Sequence, residues 1–84
     1  MKMLKGIHSS ALIGENVKLG KNVTIGPNSV VYDNVEIGDD SDIGANVVLG
    51  EPLGSFYHNK DAYVNPKLMI GKNALVRSGT KIYA

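Results

Sequence analysis

The chain has 84 residues, enough for one small domain with a modest core, and its ten glycines against five aromatic residues do not suit a globule packed around large rings. It holds no cysteine, so neither a disulfide nor a thiolate zinc site can staple it. Nine basic and eight acidic residues interleave to a net charge of +1, which argues against a polybasic nucleic-acid surface; no apolar run approaches the ~20 residues of a membrane span, and "MKMLKG" is too short and polar for a signal peptide, so a cytoplasmic protein is expected.

From Ile7 an aliphatic residue returns at every sixth position: Ile7, Ile13, Leu19, Ile25, Val31, Ile37, Ile43 and Leu49, then Val64, Ile70, Val76 and Ile82. Glycine follows at Gly14, Gly20, Gly26, Gly38, Gly44, Gly50 and Gly71. Two positions before each aliphatic residue sits a small or apolar one, as at Ala11, Val17, Val23, Ser29, Val35, Ser41 and Val47, then Ala74 and Thr80. Side chains two residues apart are what a short strand presents to one side. Asn16, Asn22, Asn28, Asn34, Asp40, Asn46 and Asn73, with Gly79 in the same slot, tolerate a left-handed backbone and mark a turn in each repeat. A helix would need apolar spacing near 3.6. A six-residue unit of one strand and one turn cannot bury its apolar side alone, so it must stack on its own copies as a solenoid.

The pattern aliphatic-Gly-x-Asn-small-x, as in "IGENVK", "LGKNVT" and "IGDDSD", resembles the bacterial hexapeptide-repeat transferases from Ile7 to Ile82. The resemblance implies an all-β fold, a single-stranded left-handed parallel β-helix with three hexapeptides per coil and about four coils, in a domain spanning 1–84. The left-handed sense comes from the resemblance alone, since the general rule for parallel crossovers favours the right-handed one. The resemblance also implies a homotrimer, and acyl transfer from an acyl-CoA such as acetyl-CoA, as co-substrate and without a metal, to a hydroxyl or amino group of a sugar or nucleotide sugar. The chain stops three residues into a hexapeptide at "VRSGTKIYA", so it reads as the N-terminal part of a longer transferase.

Three repeats per coil put Ile7, Ile25, Ile43 and Ile70 on a first face, Ile13, Val31, Leu49 and Val76 on a second, and Leu19, Ile37, Val64 and Ile82 on a third. With Val64 closing the coil, residues 55–63, "SFYHNKDAY", become a loop protruding from the corner between the second and third faces. Strand side chains alternate, so the residue before each aliphatic one points outward. On the second face these are Leu12, Val30, Val48 and Leu75, an apolar stripe expected at the contact of a cyclic oligomer. The residues after the aliphatic ones on that face place Tyr32 and Arg77 beside Gly50, next to the loop. A composite cleft is expected there, with Tyr32, Tyr57, Asn59 and Arg77 binding substrate.

In related transferases a histidine acts as general base on the acceptor, and His58 in the loop is the candidate here. His8 belongs to the first repeat and reads as a surface residue. The resemblance is incomplete: Asp39 in "DDSDIG" stands where related sugar acetyltransferases carry their histidine. A γ-type carbonic anhydrase needs three histidines and this chain has two. A nucleotidyltransferase needs a preceding nucleotide-binding domain, and an ice-binding solenoid an array of outward threonines. The competing reading is a non-catalytic trimeric β-helical scaffold.

Overall fold

The computed structural model describes residues 4–84 as a parallel β-helix, with ten short strands in three sheets and one single-turn helix. The second face is built from β1 (Leu12–Ile13), β4 (Val30–Val31), β7 (Val48–Glu51) and β10 (Lys81–Tyr83). The third face holds β2 (Lys18–Leu19), β5 (Val35–Ile37) and β8 (Leu68–Ile70). The first face holds β3 (Thr24–Ile25), β6 (Asp42–Ile43) and β9 (Leu75–Val76), with Ile7 bridged to Ile25. All pairings are parallel, and each strand meets its equivalent in the next coil.

The hexapeptide beat explains this arrangement residue by residue. Ile25, Val31, Val35, Ile37, Ile43, Val47 and Leu49 fill the axis of the prism. Asn16, Asn22, Asn28, Asn34, Asp40, Asn46 and Asn73 all have positive φ, from 54° at Asn46 to 66° at Asn34, the left-handed conformation that these residue types accept most readily. Their amides stack along the helix: Asn16 Nδ2 donates to Asn34 Oδ1 at 2.9 Å, and Asn34 Nδ2 donates to the Asn65 carbonyl at 2.7 Å. At Gly26 a Cβ would come within 2.7 Å of the Gly44 carbonyl carbon, so a corner facing another coil admits only a hydrogen. The small inward residues Ser29 and Ser41 are fully buried, and each is satisfied. Ser41 Oγ donates to the Gly71 carbonyl at 2.9 Å and accepts the Ala74 N–H at 3.2 Å.

After Leu49 the structure departs from the expected indexing. Ile70, not Val64, pairs with Ile37, and Val64 is 79% exposed. Val76 consequently pairs with Ile43 on the first face and Ile82 with Leu49 on the second. The spacing between neighbouring coils grows from 18 residues to 33 across the connection between β7 and β8, which occupies Pro52–Lys67 and is wider than 55–63. Within it lies α1 (Ser55–His58). "DAYV", ending at Val64, and "LMI", ending at Ile70, both keep the beat; only backbone pairing tells which one stacks.

Candidate functional site

The chain leaves the prism at Gly50, where φ is +79° and the register of β10 against β7 shifts, so that Tyr83 faces Glu51. A Cβ there would sit 2.7 Å from Val35 Cγ2, so glycine is required both for the left-handed turn and for the close approach. Beyond it Pro52 is buried, and three aromatic side chains fold together. Phe56 meets Tyr57 and Tyr63 edge to face, with ring centroids 4.9 and 5.4 Å apart. The Tyr63 hydroxyl accepts the Leu53 N–H at 3.2 Å, tying the end of the loop to its start.

The return path is held by Asn65, which is buried. Its Nδ2 donates to the carbonyls of Asp33 at 3.1 Å and Gly50 at 3.0 Å, joining two coils. Two residues later Lys67 pairs with Glu36 at 3.0 Å, while Lys18 approaches the same carboxylate oxygen at 3.7 Å. The hydrogen bond from Lys67 comes first in holding the Glu36 carboxyl below its ordinary value, with the charges of both lysines adding to it.

Tyr57 donates its hydroxyl proton to Glu51 Oε2 at 3.3 Å, with Tyr32 and Tyr83 close enough to feel the same charges. Loss of water and then the Glu51 carboxylate push the Tyr57 hydroxyl above its usual value, and the same two causes raise Tyr32. The phenols therefore stay protonated and can donate, while Glu51 offers an acceptor to a hydroxyl or amine.

Of the expected site residues, Tyr32 and Tyr57 come together. His58 is the last residue of α1; it is exposed, and no described side chain hydrogen-bonds to it. Asn59 is exposed as well, and its carbonyl accepts the Tyr63 N–H at 3.1 Å. Arg77 does not join them. It follows Val76 on the first face and lines a groove of about 370 Å³ with Leu4, Thr24, Asp42 and Leu75. Leu75 likewise pairs with Asp42 and not with Val48, so the outward stripe on the second face runs Leu12, Val30, Val48 and then Lys81. Both displacements follow from the longer connection, which delays the stack by one repeat and sets β9 on the first face instead of the second. His8 is half-buried in the first coil, its Nδ1 accepting the Ser10 N–H at 3.1 Å.

Glu51, Asp33, Tyr63 and Asn65 were not singled out from sequence. Asn65 carried a signal: it falls outside the turn slot of the beat, in "VNP", and an asparagine before proline at the end of an interruption marks where a chain must be fastened.

Residues 16–51 match the family model described as bacterial transferase hexapeptide, six repeats. This stretch of the chain is similar to the hexapeptide repeats of the bacterial transferases. The matched repeats are those that run without interruption from Asn16 to β7, and in the structure the same stacking continues past them into β8, β9 and β10. Neither the curated proteins nor the solved structures gave a match to this hexapeptide-repeat chain.

Proposed function

We propose that this hexapeptide-repeat chain is the β-helix of a CoA-dependent acyltransferase. It would move an acyl group such as acetyl from the CoA thioester to a hydroxyl or amino group of a sugar or nucleotide sugar, working in the cytoplasm as a homotrimer. The observation that carries this reading is the Pro52–Lys67 connection. It sets an exposed imidazole, His58, next in sequence to a phenol and carboxylate pair, Tyr57 and Glu51, at the edge of the face that bears the apolar stripe. A bare prism offers few concave places, and a loop standing off a corner beside a subunit contact makes one.

In this reading His58 takes the proton of the acceptor hydroxyl or amine as that atom bonds to the thioester carbonyl carbon. Collapse of the adduct breaks the carbon–sulfur bond, and the CoA thiolate leaves and is protonated. Tyr57 and Glu51 hold the acceptor's neighbouring polar groups. One observation favours the scaffold reading instead: no described side chain orients His58, and Arg77 lies on another face. Light scattering after gel filtration, followed by release of free CoA thiol from acetyl-CoA, separates the two. The acyltransferase reading expects a trimer that cleaves the thioester in the presence of an acceptor and loses that activity in His58→Ala with its mass unchanged. A trimer that neither binds CoA nor releases thiol is a scaffold.

A further inference from the structure

Behind the loop, between α1 and the corner that follows β4, lies a cavity of about 170 Å³. Tyr32, Phe56 and Tyr63 supply its aromatic walls, Asp33 and Lys60 stand at it with opposite charge, and Asn65 lines it from the core side. An engineered cavity of about 150 Å³ in another protein holds benzene, so this space suits one six-membered ring. Ligand sites combine an aromatic lining with a few placed polar groups, and that is the composition here.

The polar groups have capacity to spare. Asn65 spends both amide protons on main-chain carbonyls, while its Oδ1 is buried with no hydrogen-bond partner. Buried polar atoms are rarely left so, and an orphan acceptor calls for a donor. The Tyr63 oxygen already accepts from Leu53, leaving its proton to give. Lys60 forms no ion pair among the described residues, its Nζ lying 6.0 Å from the centre of the Tyr57 ring. Asp33 Oδ1 accepts the Glu15 N–H at 2.8 Å, which fixes the carboxylate in place and leaves its other oxygen available.

An anion would meet the Asp33 carboxylate and a cation the Lys60 ammonium. A wholly apolar ring would leave the donors and acceptors unpaired. A neutral ring edged with hydroxyls, and with an apolar C–H face to lay on an aromatic side chain, answers all three. We propose that this cavity binds a single neutral monosaccharide ring, held entirely within one chain by Tyr32, Asp33, Phe56, Lys60, Tyr63 and Asn65. The role of that ring as the acyl acceptor rests on the acyltransferase reading; its binding does not.

The test is a titration of the ¹⁵N-labelled full chain with the methyl pyranosides of glucose, galactose and mannose, followed by amide shifts. Inorganic phosphate and cyclohexanol serve as control probes. At least one pyranoside should shift the Asn65 side-chain amide and the Lys60 and Tyr63 amides saturably, and Lys60→Met should weaken that binding about tenfold while leaving the remaining spectrum in place. Silence toward all three sugars overturns the proposal. So does a response to phosphate alone, which marks an anion site, or an equal response to cyclohexanol, which marks an apolar crevice. Sugar binding without thioester cleavage would sink the acyltransferase reading and leave this site standing; thioester cleavage with a silent cavity would do the reverse.

Discussion

At the scale of single residues, the asparagines carry two duties that substitution can separate. Asn34 holds φ at 66° and passes its amide proton to Asn65 while accepting one from Asn16. Asn34→Ala loses both the amide and the tolerance for a left-handed backbone, which costs about 1–2 kcal/mol on its own. Asn34→Gly keeps the backbone and loses only the amide, so urea denaturation should find the glycine variant the more stable of the two by about 1 kcal/mol. Asn65→Ala strands the carbonyls of Asp33 and Gly50 in a buried corner and should cost about 1–3 kcal/mol in the same assay. Asn65→Asp should be worse, because a carboxylate would then face those carbonyl oxygens.

The connection between β7 and β8 carries the proposed site, and electrostatics fasten its far end. The Glu36 carboxyl is held below its ordinary value because the Lys67 hydrogen bond, and then the charges of Lys67 and Lys18, favour the ionised form. A depressed carboxyl contributes its stability fully above the unfolded pKa and loses it as pH falls through the folded one. Glu36→Gln should therefore lower the thermal midpoint modestly at pH 7, and the gap to the unaltered chain should close as pH drops below about 4. A gap that persists at that acidity would mean that Glu36 acts through packing and not through charge. Most of this element escaped the sequence because two segments keep the same beat. "DAYV" offers an acid in the turn slot, an alanine and a valine at the right spacing, yet Val64 faces solvent. Ile70 wins because its strand reaches Ile37 in register, while Asn65 and Lys67 anchor the chain just ahead of it.

For the whole molecule, the question is what covers the second face. Leu12 is 66% exposed there, and Val30 and Val48 lie partly exposed beside it along the helix. If that stripe is the subunit contact, Val48→Glu would place an unpaired charge in it, and light scattering should report smaller particles. Leu75→Glu provides the internal control. Leu75 was expected in the stripe but pairs with Asp42 on the first face, so its replacement should leave the mass unchanged. The opposite result, with Leu75→Glu dissociating the assembly and Val48→Glu sparing it, would move the contact to the groove shared by Leu75 and Arg77.

By itself the sequence determined that the repeats stack, because a repeat too short to bury its own apolar side has one way to do so, while three repeats per coil came from the family resemblance. It also determined the turns, since asparagine and glycine recur where φ must be positive, and it named the connection as the irregular part. Only the tertiary structure decided which strand resumes the stack. That choice sent Arg77 and Leu75 to a different face and brought Asp33, distant along the chain, into one cavity with Lys60 and Asn65. A period of six is blind to how many residues an interruption contains whenever two candidate strands differ by one repeat. Backbone hydrogen bonds between coils are not.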